Sequence, residues 1–147
     1  MNPWTSKLIC GKCGNYFRIK TRHGHACWEC RDSYKKEGAC KNTYIYEEAR
    51  EALVKELMAE VLGRRPGVVK KMKEIVGRVV TDTERREEIK RALSGMEHPI
   101  PDDEDLLLTI RGITFFPDNH TEAELIDGER ISREMRSYSP GRGWYGV

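Results

Sequence analysis

Five cysteines lie within the first forty residues of this 147-residue chain, and their spacing is that of a metal site. Cys10-Gly11-Lys12-Cys13-Gly14 is a C-x-x-C knuckle, in which one tight turn can offer two thiolates to a tetrahedral ion. Gly14 falls where such a turn needs positive φ, which glycine adopts at no steric cost. Cys27, Cys30 and Cys40 make a second cluster. An ion gripped by both clusters would stabilise a segment too short to build its own apolar core, because its binding energy is folding energy.

Disulfides fit this pattern less well. An odd count leaves one thiol over, and Met1 to Ile9 is short and polar, without the apolar run of a secretory signal. A redox C-x-x-C is expected beside a βαβ pattern, which the sequence does not show. Tetrahedral sulfur suits iron as well as zinc, and zinc is the expectation for a structural site. Two ligand sets stay open: the paired knuckles Cys10, Cys13, Cys27 and Cys30, which spacing alone favours, or Cys10, Cys13, Cys30 and Cys40. His23 and His25 lie between the clusters and are read as exposed residues of the turn Arg22-His23-Gly24-His25, not as ligands.

The residues around the cysteines resemble a known family. Ser6-Lys7-Leu8-Ile9-Cys10-Gly11-Lys12-Cys13-Gly14 looks like the opening of the zinc β-ribbon domain of large serine recombinases, the phage-type site-specific integrases. Trp28-Glu29-Cys30-Arg31 resembles that family's aromatic-x-Cys-Arg strand, and Cys40-Lys41-Asn42-Thr43-Tyr44-Ile45 its last cysteine and exit into a Glu-rich helix. The resemblance covers roughly residues 3 to 55 and implies Cys10, Cys13, Cys30 and Cys40 as ligands of one structural zinc, with Cys27 lacking a counterpart. It also implies double-stranded DNA as partner and, through a helical arm, other recombinase subunits or self-association.

Charge is distributed unevenly along the chain. Residues 1–45 hold nine Lys/Arg against three acids, residues 46–98 twelve against eleven, and residues 99–147 five against ten, for a net +2. The cysteine-rich end is thus the basic end, as expected of a surface that meets phosphate. Arg18, Lys20 and Arg22 alternate along one strand-like segment, so period two puts them on a common face. Arg31, Lys35 and Lys36 lie between Cys30 and Cys40 and complete the candidate DNA-binding set. Hydrophobic content of 38% and charged content of 34% describe a highly charged, folded chain, with no apolar run of membrane-spanning length. The cytoplasm is the expected compartment, and no small-molecule substrate is implied.

The elements that must position these residues are legible from periodicity. The sequence predicts an α+β chain: a zinc β-ribbon over 1–46, amphipathic helices over 47–97, an acidic Pro-rich linker over 98–105, a β-hairpin over 106–131 and a disordered tail over 132–147. Tyr16 to Lys20 and Ala26 to Trp28 read as paired strands. Ala49, Leu53, Leu57 and Val61 mark a first helix over Glu47 to Leu62, which Gly63-Arg64-Arg65-Pro66-Gly67 ends. Val69, Met72, Val76 and Val79 mark a second over Val68 to Val80, and Thr81 with Glu84 suggests a capping box for a third closing near Gly95. Leu106 to Phe116 and Thr121 to Ile126 read as strands around the turn Pro117 to His120, with Asp127-Gly128 as another turn. The interleaved Tyr, Trp and Arg of residues 133–147 offer only weak support for single-strand stacking.

Catalytic machinery is not expected. The resembled recombinases carry their serine nucleophile in an N-terminal catalytic domain, and this sequence is read as starting downstream of it. Ser6 has no recognisable activating base, a four-thiolate site is closed to substrate, and Glu29 is expected on a strand surface rather than as a general base. Two function classes follow. One is a DNA-binding zinc-ribbon module resembling the C-terminal region of a large serine recombinase. The alternative is a zinc-stabilised protein-interaction or regulatory module without DNA contact.

Overall fold

The computed structural model describes residues 3–35, 37–42, 44–93, 107–135, 137–139 and 143–145. A 3-10 turn, Pro3–Ser6, leads into the short strand β1 (Leu8–Cys10). The knuckle then turns the chain into β2 (Phe17–Arg22) and β3 (His25–Cys30), which pair antiparallel from Phe17↔Cys30 to Arg22↔His25. His23 and Gly24, at φ 53° and 78°, close this hairpin, as both central positions of a two-residue turn require. A second 3-10 turn, Arg31–Tyr34, follows, and β4 (Ile45–Tyr46) completes the three-stranded sheet β2-β3-β4.

Three helices come next: α1 (Glu47–Arg64), α2 (Pro66–Val79) and α3 (Thr83–Leu93). The expected core positions of α1, Ala49, Leu53, Leu57 and Val61, are all buried. α1 runs through Gly63 to Arg64, two residues past the expected end, and only Arg65 separates it from α2. Pro66 sets the break, because a proline disfavours helical backbone in the residue before it yet suits the first helical position itself. Val79 is 57% exposed, contrary to the stripe reading. Val80, just past the helix end in extended backbone, packs on the core in its place. Asp82, not Thr81, caps α3: its Oδ1 accepts from the Arg85 N–H at 2.9 Å and its carbonyl from Arg86 at 2.9 Å. Gly95 and the linker over 98–105 lie outside the described residues.

The C-terminal strands β5 (Ile110–Phe115), β6 (His120–Leu125) and β7 (Arg130–Glu134) form a meander. Residues 107–109 are helical, so the first of these strands starts later than expected. Residues 130–134 form a third strand, so 132–134 belong to the sheet rather than to a tail: Ile131 buries on the sheet's inner face while Arg130 and Ser132 face out. Beyond it, β8 (Ser137–Ser139) and β9 (Gly143–Tyr145) pair antiparallel, so the described part of the expected disordered tail is an ordered ribbon.

Among the described residues, one strand pairing joins the two halves of the chain. β1 lies parallel to β5, with Leu8↔Ile113 and Cys10↔Phe115 in register, giving the sheet order β1-β5-β6-β7. Gly112 permits it, since a Cβ there would sit 3.1 Å from Ile9 Cδ1 and 3.3 Å from the Lys7 carbonyl oxygen. Arg133 reaches Glu56 and Glu60 of α1 at 3.3 and 3.4 Å, and Arg65 reaches Glu129 at 3.3 Å. Partly exposed pairs of this kind contribute little. The main stabilisation comes from the apolar cluster of Leu8, Phe17, Trp28, Leu53, Leu57, Ile113, Phe115 and Leu125, which runs through both sheets and α1.

Candidate metal centre and basic face

Four cysteines converge where β1, β3 and the loop after the second 3-10 turn meet. The Sγ atoms of Cys10, Cys13, Cys30 and Cys40 all lie within 4.8 Å of one another, with Cys10–Cys40 and Cys13–Cys30 each at 3.5 Å. Zn–S bonds of about 2.3 Å put tetrahedral sulfurs about 3.8 Å apart, so this quartet fits a zinc ion. Cys10 and Cys13 come from the knuckle, whose turn is closed by Gly14 N–H donating to the Cys10 carbonyl at 2.8 Å, with Gly14 at φ 79°. Cys10, Cys30 and Cys40 are buried and Cys13 is exposed.

Cys27 is not in the quartet, and strand geometry gives the reason. Cys27 and Cys30 are three positions apart on β3, an odd offset, so period two sends their side chains to opposite faces. Trp28 and Cys30 share the inner face, while the Cys27 thiol packs elsewhere, 3.8 Å from the Trp28 carbonyl oxygen. Burial, then the neighbouring Glu29 carboxylate, pushes the Cys27 thiol pKa up. The paired-knuckle set favoured by spacing alone is therefore not the one that comes together. His23 and His25 are exposed at the hairpin turn, as expected.

Hydrogen-bond donors favour the thiolate at Cys10. Burial opposes ionisation of Cys10, but the Asn42 side-chain amide and the backbone N–H groups of Cys13 and Lys12 outweigh it and bring the thiol down to about 7. Asn42 Nδ2 lies 3.1 Å from Cys10 Sγ and 2.8 Å from the Phe115 carbonyl, so one amide joins the cluster to β5. Asp32 N–H points at Cys30 Sγ at 3.5 Å. Without an ion, burial raises Cys40 to about 11 and also raises Cys30. Such thiols ionise when a cation replaces the proton, which makes metal binding proton-releasing.

Beside the quartet lies a basic face. Arg18, Lys20 and Arg22 share the outer side of β2, and aromatic rings hold them there. Arg18 Cζ and Lys20 Nζ sit 4.7 and 3.8 Å from the Tyr34 ring centroid, and Arg22 Cζ sits 4.3 Å from that of Tyr44. Glu29, expected on the surface, is instead only 5% exposed. Lys20 and Arg22 pair with it at 3.6 and 3.4 Å, and the Tyr34 hydroxyl donates to it. A buried carboxylate persists when paired in this way. Arg31 opens the 3-10 turn at the ribbon end opposite Arg22, and the exposed Lys35 pairs with Asp32 at 3.2 Å. Lys36 lies outside the described residues.

Residues 3–59 match the recombinase zinc beta ribbon domain. No curated protein and no solved structure matches the chain. The matched segment takes in all four clustered cysteines and ends inside α1.

Sequence reasoning missed the polar brace that seats the ribbon on α1. Arg50 is 1% exposed, lies 2.5 Å from Glu47 Oε1 and stacks 4.5 Å from the Trp4 ring. Glu47 also accepts from Trp28 Nε1 at 3.1 Å. The Glu47/Arg50 spacing at i,i+3 and the two tryptophans were the available signals, but an arginine in the first turns of a helix reads as solvated.

Proposed function

We propose that this chain is the DNA-contacting zinc ribbon of a recombinase-type protein, holding one structural zinc through Cys10, Cys13, Cys30 and Cys40. The closed thiolate site supplies a scaffold, not a reaction, and the chain neither cleaves nor rejoins DNA by itself. No helix among the described residues is long and apolar enough to cross a membrane. The observation that carries the reading is the shared outer face of Arg18, Lys20 and Arg22 on a hairpin anchored by the cysteine quartet. Cations fixed against tyrosine rings lose less freedom when they meet phosphate than free side chains do. Lys35 and Arg31 extend the basic surface toward the other end of the ribbon.

Fluorescence anisotropy with duplex DNA across a salt series tests this. Each neutralised phosphate contributes about −0.9 to the log–log salt slope, so replacing all three β2 cations by Ala should flatten the slope by up to about 2.7. Equal binding by both proteins, or none at low salt, would instead favour the protein-interaction reading. Incubation with supercoiled plasmid should leave it intact. Nicking that disappears on a point mutation in this chain would refute the absence of chemistry.

A further inference from the structure

Arg22 is held differently from the other two cations of the basic face. It closes β2, directly before the tight His23-Gly24 turn, so it stands at the tip of the ribbon. Its guanidinium carbon lies 4.3 Å from the Tyr44 ring centroid. Tyr44 meets Tyr46 edge-on at 5.6 Å and 89°, and Tyr46 meets His25 edge-on at 6.3 Å and 88°. The guanidinium thus rests on the last of three interlocked rings beside the tip. Glu29 Oε2 fixes one arm, accepting from Nη2 at 3.4 Å. The side chain is nevertheless 36% exposed, and a guanidinium has five donors, so its bonds to Glu29 and to the Cys27 thiol leave others for a ligand.

A guanidinium whose plane and one arm are fixed is suited to a planar partner with two acceptors. In duplex DNA that partner is guanine, whose O6 and N7 face the major groove and accept a bidentate arginine. A two-stranded ribbon fits that groove, which is about 12 Å wide. Lys20 is a point charge and lacks the fork. Arg18 shares Tyr34 with Lys20 and sits four residues back from the end of β2.

We infer that Arg22 is the base-reading residue of the ribbon, donating its fork to a guanine edge in the major groove while Arg18 and Lys20 hold phosphates. Tyr44 and Glu29 act as its positioning residues. The inference rests on the duplex-DNA reading above and adds to it a base preference.

Selection of bound sequences from a randomised duplex pool, with the full chain loaded with zinc, tests it. Wild type should enrich guanine at one position by about tenfold or more over adenine. Arg22→Lys, which keeps the charge, should flatten that position while leaving the salt slope unchanged, and Arg18→Lys should leave the preference intact. Tyr44→Leu should weaken the preference with every charge in place. Since Arg22→Lys keeps the charge and lies on a partly exposed strand end, its readout stands even where Tyr44→Leu loses stability. An unchanged guanine preference in Arg22→Lys, or selection without guanine, overturns the inference. Salt-sensitive binding by wild type with no base preference overturns it while leaving the DNA-binding proposal intact. No binding at low salt overturns both.

Discussion

Replacing Gly11 by Ala should show that the C-terminal sheet is packed on the cysteine knuckle. Gly11 has no left-handed φ, so alanine meets no backbone penalty there. Its methyl, however, would lie 2.4 Å from Phe116 Cδ1 and 2.8 Å from Cγ and Cε1, where carbon contacts prefer about 3.5–4.0 Å. The backbone cannot simply retreat, because Gly11 N–H donates to the Phe115 carbonyl at 2.8 Å. The Phe116 ring must therefore swing away and give up its contacts, at a cost of about 1–3 kcal/mol. Truncating Phe116 to Ala removes the obstacle, so Gly11→Ala in that background should be nearly free of cost. Urea unfolding of the zinc-loaded single and double variants should give a coupling of about 1–2 kcal/mol. Gly14→Ala is the control: at φ 79° with nothing within 4 Å of its Cβ, it should cost about 1–2 kcal/mol from backbone strain alone. That cost should be additive with Phe116→Ala. Additivity of Gly11→Ala with Phe116→Ala within about 0.5 kcal/mol would refute the packing of β5 on the knuckle.

Two further predictions concern the metal and the brace. Among single Cys→Ser variants, those at Cys10, Cys13, Cys30 and Cys40 should lose tight zinc binding in elemental analysis. Cys27→Ser should retain one zinc per chain, and the reverse result at Cys27 and Cys40 would restore the paired-knuckle assignment. Arg50→Leu should destabilise the zinc-loaded chain by about 3 kcal/mol in urea, because it removes the cation from the Glu47 carboxylate, leaving it only the Trp28 indole N–H, and takes the guanidinium off the Trp4 ring. A loss below about 1 kcal/mol would show that the Glu47–Arg50 pair is solvated rather than structural.

The sequence by itself determined whatever depends on neighbours along the chain. Glycine at position 14 and the His23-Gly24 pair set two turns, because only particular residues accept positive φ. Alternation from Arg18 to Arg22 put three cations on one face, and the four-residue recurrence from Ala49 to Val61 placed the buried side of α1. Pattern matching to a known ribbon selected Cys40 over Cys27, where spacing pointed the other way. Only the tertiary structure decided what depends on residues far apart in sequence. Side-chain alternation along the strand turns Cys27 away from Cys30, a fact hidden until β3 is known to continue through both. The pairing of β1 with β5 is equally hidden, since a three-residue strand is too short to show a period and its partner lies about a hundred residues on. Burial of Glu29 and Arg50 was also decided there. A charged side chain enters the interior only when partners meet it there: Lys20, Arg22 and Tyr34 from other elements for Glu29, and for Arg50 the distant Trp4 together with Glu47 of its own helix.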